Sequence, residues 1–173
     1  MLRTGPGARY PWLVGPSAAL ISVELAQFMR GPVSAMLGTS DAMAVPDATR
    51  VAGVAALDDR RLRVLISPDA RTARANAVLG ARVAVLVTDI LTYRSLQWKG
   101  WVVEAGKDRT PGDLALLHRH IDTFCAASPR VGIPSELVPG LFPLDVVPLV
   151  VETDVLYDQT PGQGAGRRIG TGA

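Results

Sequence analysis

Tyr93-Arg94-Ser95-Leu96-Gln97-Trp98-Lys99-Gly100 alternates polar and apolar side chains, and the strand pattern runs on to Val103. A period of two marks a β-strand, whose successive side chains point to opposite faces. Leu96, Trp98 and Val102 then share one face, expected in a core, and Ser95, Gln97 and Lys99 share the other. That second face is polar yet flanked by Tyr93 and Trp101. It suits a lined pocket or a subunit interface, with a plain wet outer face as the alternative.

Outward from this strand, five more runs have strand length: Val33–Thr39, Ala48–Leu57, Leu62–Ser67, Arg82–Thr88 and Val146–Tyr157, the last with Val147, Leu149, Val151 and Val155 on its core face. Short turns at Asp41–Pro46 and Asp58-Asp59 make the early strands antiparallel neighbours. Helices are expected at Ser22–Arg30, stopped by Gly31-Pro32, and at Pro68–Leu79, with Ser67 as N-cap and Gly80 as stop. A longer one follows over Thr110–Ala127, capped by Thr110, with Leu114, Leu117, Ile121 and Phe124 as its apolar stripe. Six strands with peripheral helices predict a mainly β protein, an antiparallel barrel rather than a parallel α/β sheet. The chain divides into an arm at 1–19, a domain at 20–158 and a Gly-rich tail at 159–173. The Pro-rich connection Pro129–Pro143 reads as a functional loop or a subunit contact.

Composition excludes several classes. With 48% apolar and 20% charged residues the chain is no disordered polymer. The net charge of +2 comes from sixteen arginines and two lysines that are scattered, with no basic stripe among aromatics, so nucleic-acid binding is not expected. No apolar run reaches a membrane span, and Pro11, Gly15 and Pro16 break the uncharged run Tyr10–Val23 that a secretory signal would need. The lone Cys125 allows no internal disulfide and fits a reducing cytoplasm. A positive mean hydropathy, spread over short aliphatic runs, points to extra burial at a subunit interface.

Chemistry has few places to reside. Ser67–Arg74 reads as a strand running into a helix N-terminus, with Arg71 and Arg74 on one face. A phosphate seat and an ordinary capped helix with two solvated arginines are equal readings of it. Gln97 and Lys99 have the groups to hydrogen-bond the edge of a heterocycle. His118 and His120, two apart on a helix, point to different faces, which excludes a metal pair and predicts solvated side chains. Cys125 beside Phe124 reads as a buried structural thiol. Gly162–Gly166 follows a strand end but opens no helix, so it is no dinucleotide fingerprint.

The order of these elements resembles the pyridoxamine 5'-phosphate oxidase-like, FMN-binding split-barrel superfamily over about residues 20–160. The sharpest piece is Tyr93–Gly100, similar to a "Tyr-Arg-x-x-Gln-x-Lys-Gly" strand, and Gln159-Thr160-Pro161-Gly162-Gln163-Gly164-Ala165-Gly166 looks like a tail of the same subgroup. The resemblance implies a six-stranded split barrel, homodimeric, with FMN at the interface. It sets the phosphate against Arg50, Ser67, Arg71 and Arg74, and the isoalloxazine ring near Ser95 and Gln97. The tail offers Arg167-Arg168 but no histidine, so vitamin B6 oxidation is not the expected reaction. An FMN-dependent oxidoreductase is the first expectation. F420 or haem in place of FMN, and a non-catalytic dimer that stores or senses a cofactor, are the alternatives.

Overall fold

The computed structural model describes residues 19–106 and 108–172, so all but the last residue of the expected arm lies outside the described residues. Seven strands form one sheet: β1 Val33–Ser40, β2 Pro46–Ala56, β3 Arg61–Ile66, β4 Arg82–Asp89, β5 Ser95–Ala105, β6 Val147–Asp158 and β7 Arg167–Thr171. Their order is β3-β2-β1-β4-β5-β6-β7, and β3 also pairs with β6, which closes the first six into an antiparallel barrel. Each short hairpin is built on an aspartate whose Oδ1 accepts two backbone N–H groups of the turn. Asp41 takes those of Met43 and Val45, Asp58 those of Arg60 and Arg61, and Asp89 those of Leu91 and Thr92.

The alternation within each strand builds the interior. Val33, Ala35 and Leu37 of β1 meet Val83, Val85 and Val87 of β4, with Trp98 of β5 fully buried among them. The Trp98 indole N–H donates to the Leu20 carbonyl at 3.2 Å and ties the chain entry to the core. Gly100 faces inward where β5 and β6 run closest: a Cβ there would lie 2.1 Å from the Glu152 carbonyl oxygen.

A second core lies outside the barrel. In β2 the bulge between Val51 and Gly53 turns Ala52 and Gly53 both outward, and the long helix α3, Pro111–Ala127, packs on them. Leu116, Leu117 and Phe124 of α3 meet Ala52 and Leu65, and Val138 and Phe142 of the Pro-rich connection close the cluster. Thr110 and Asp113 form the capping box of α3, and Asp113 grips Arg63 of β3 with two bonds of 2.7 Å.

Several expectations are corrected. The first helix, α1, is Val23–Phe28, capped by the Ser22 hydroxyl as expected but shorter. The second, α2, spans only Arg71–Asn76. Ser67 is not its cap: its hydroxyl accepts the Asp69 N–H, and its carbonyl the Ala70 N–H, in a turn that precedes the helix. At the far end Gly80 and Ala81 pair with Val102, which pulls residues 78–81 toward the sheet before α2 can reach Leu79. The stripe of α3 is rotated, with Leu116 and His120 buried and Leu114 only half-buried. Val155 faces outward opposite Lys99, because the β5–β6 register shifts beside that residue. Part of the Gly-rich tail is strand: β7 returns along β6 after a turn with Gly162 and Gly166 at positive φ.

Candidate functional site

No described helix lies across the outer faces of β4, β5 and β6, and the side chains there are half-buried. The strand registers place Arg50, Met36, Leu86, Gln97, Tyr157 and Arg168 in a single row across six strands. From Arg50 to Gln97 is three strand spacings, about 14 Å. The neighbouring row, Ala48, Gly38, Ala84 and Lys99, is made of small residues up to its last member. It leaves a groove of about 570 Å³ bordered by Asp47, Arg82 and Lys99.

The expected site residues divide into two groups. Arg50 is exposed and in no ion pair among the described residues. Gln97 and Lys99 share its face. Gln97 Oε1 accepts from Gln159 Nε2 at 3.3 Å, and Lys99 Nζ stands 4.9 Å from the Tyr157 ring centre, with the Arg168 guanidinium at 6.0 Å from the same ring. Ser95 is buried, its hydroxyl bonded to that of Thr88 at 2.9 Å and donating to the Tyr93 carbonyl at 3.0 Å. Its partners fix the start of β5 and leave it little to offer a ligand. Ser67 leaves β3 beside Arg50, since Ile66 pairs with Val51. Arg71 and Arg74 stand apart from that row on α2, which packs over the barrel end through an Asn76–Thr39 side-chain bond of 3.2 Å. Arg74 folds back to donate to the Pro68 carbonyl at 2.7 Å. The capped helix N-terminus expected as a phosphate seat is therefore not formed, because α2 starts after the turn and carries no side-chain cap.

Tyr157, Gln159, Thr160 and Arg168 had no place in the sequence reading of the site. Alternation in the last strand puts Tyr157 on the outer face, a signal that was available. Arg168 had none, because Arg-Arg-Ile-Gly-Thr shows no strand pattern until β6 is there to pair with it.

His120 is a correction of another kind. Its partner His118 is exposed as expected, but His120 is 4% exposed, edge-on to Phe142 with ring centres 5.7 Å apart. Its Nε2 is buried with no hydrogen-bond partner. Burial, together with the charges of Arg119 and Arg50, pushes the imidazole down to about 4. Cys125 is half-buried, its Sγ 3.7 Å from the Ser135 carbonyl.

No family model matches the chain, and no curated protein matches it in sequence. Solved structures do. A HupZ variant from Group A Streptococcus matches with a TM-score of 0.50 at 14% identity, over 80% of this chain and 98% of that one. A candidate pyridoxamine 5'-phosphate oxidase from Lactobacillus delbrueckii gives 0.50 at 14%, over 81% and 95%. An F420 reductase gives 0.48 at 21%, over 75% and 93%. The likeness is one of fold: the chain is a split β-barrel of the pyridoxamine 5'-phosphate oxidase-like type. At these identities the fold is shared without the chemistry being fixed.

Proposed function

We propose that the protein is a homodimer that binds a flavin-type cofactor, FMN first, across the outer face of β1, β4 and β5. It acts there as an oxidoreductase, moving hydride or electrons between the flavin and a small molecule. The row Arg50–Met36–Leu86–Gln97 carries this reading. It has a cation for a phosphate at one end, an amide for a ring edge at the other, and two apolar side chains between, over about 14 Å. That is the order of groups along an FMN molecule. A half-buried sheet face of this kind also suits a second copy of the chain, which would enclose the ring.

A bound flavin supplies the two-electron chemistry, so the chain needs no acid–base pair of its own. Arg50 binds the phosphate, Gln97 orients the ring by hydrogen bonding, and Met36 and Leu86 keep water from its face. Gln159 holds Gln97 in place. F420 is the second reading, favoured by Lys99 and Arg168 flanking Tyr157 beyond Gln97, where an acidic extension would meet two cations. An absorbance spectrum of the purified protein, mass spectrometry of whatever denaturation releases, and fluorescence titrations with FMN and F420 test both. Yellow protein releasing FMN supports the first. Colourless protein that quenches neither cofactor rejects both.

A further inference from the structure

The second core brings α3 against the strand that carries Arg50, and the register says where. Asp113 holds Arg63, which pairs with Ala55, and Leu116 lies at the level of Gly53, where a Cβ would sit 3.1 Å from it. α3 therefore runs antiparallel to β2. One further turn, about 6 Å along the helix axis, sets His120 over the segment next to Arg50. Arg119 precedes it on the exposed side, and Ser67 leaves β3 beside Arg50.

This corner gathers hydrogen-bond donors and positive charge with no carboxylate answering them. Neither Arg50 nor Arg119 is in an ion pair among the described residues. His120 Nε2 is buried without a partner, although a buried polar atom ordinarily has one. The charges that act on the imidazole are Arg119 of its own helix and Arg50 of β2, and the loop side presents the Phe142 ring. A dianion in this corner answers both arginines and favours a proton on His120.

We propose that Arg119 and His120 of α3 complete, with Arg50 and Ser67, the seat of a phosphate group, so that α3 is the wall of the cofactor's phosphate end as well as the cover of the second core. The proposal rests on the flavin reading only for whose phosphate it is.

Two histidines in the chain make the test direct, with exposed His118 as the internal control. The imidazole resonances of the full chain are followed against pH without ligand, then with inorganic phosphate, FMN and riboflavin. Phosphate and FMN are expected to raise the His120 midpoint by about one unit or more. Riboflavin, lacking the phosphate, leaves it in place, and His118 responds to none of them. Arg119→Gln, a change on the exposed side of α3, weakens FMN and phosphate about tenfold and spares riboflavin. His120→Gln, which keeps a polar donor, is checked alongside by its melting temperature.

FMN binding with an unmoved His120 and an indifferent Arg119→Gln overturns the seat and leaves the flavin reading standing. Phosphate that moves His120 in a protein that binds no flavin supports the seat and rejects the flavin. If neither flavin binds and phosphate leaves His120 unmoved, both fall.

Discussion

The barrel has two outer faces of opposite character. Over β2 and β3 the chain covers its own sheet: α3 and the Pro-rich connection bury Ala52, Leu65, Leu116, Leu117 and Phe124 in a second core. Over β4, β5 and β6 no described helix does so, and Leu86, Gln97, Lys99 and Tyr157 stay half-buried. The strands differ little in composition, so the contrast lies in what the chain supplies to cover them. A face covered from within is committed to stability. One left half-open keeps its area for a ligand or another chain.

The largest test of that contrast is a matched pair of truncations. Phe124→Ala on the covered face removes a ring 4% exposed that packs edge-on to Phe142, and is expected to cost about 3–5 kcal/mol in urea unfolding. Leu86→Ala on the open face is expected to cost less than about 1 kcal/mol in the separated chain. Equal losses would mean that the two faces are not different in kind.

Acid separates two groups on the covered side. His120 titrates in the fold at about 4, below its ordinary 6.5, so the fold prefers it neutral. Its contribution is complete above 6.5 and is lost as pH falls toward 4, about 3 kcal/mol in all. Asp113 is held at about 2 by Arg63, below its ordinary 3.8, so its contribution survives that range and is lost only between about 4 and 2, about 2 kcal/mol. Unfolding measured against pH in phosphate-free buffer should show two steps. His120→Phe should remove the upper and Asp113→Asn the lower, and a single step untouched by His120→Phe would put the imidazole outside the core.

The two faces were also unequally legible in the sequence. The interior could be read from alternation alone, as Leu96, Trp98 and Val102 show, because a period of two survives whatever packs on the other side. The second core could not be read so well. The bulge at Val51/Gly53 breaks the period in β2, and the burial of His120 depends on Phe142, which is distant in the chain. On the open face Gln97 and Lys99 were legible from their strand, but the alignment of Arg50 with Gln97 needs the registers of four strands at once. The Ser67–Arg74 reading failed because local cap signals were outweighed by the pairing of Gly80 and Ala81 with Val102, a contact between distant parts of the chain.

The smallest expected effect on the fold is the most informative about function. Leu86 sits at the middle of the open face, between Met36 and Gln97. In a single chain Leu86→Arg can turn its charge into water, and its unfolding free energy should change by less than about 1 kcal/mol. In a dimer closed over this face the same arginine is an unpaired buried cation, which the interface cannot accommodate. Light scattering should then find dimers of the parent chain and single chains of Leu86→Arg at equal concentration, with FMN quenching lost along with the dimer. A variant that stays dimeric and still binds FMN would move both the partner and the cofactor off this face, leaving the row from Arg50 to Gln97 without its proposed role.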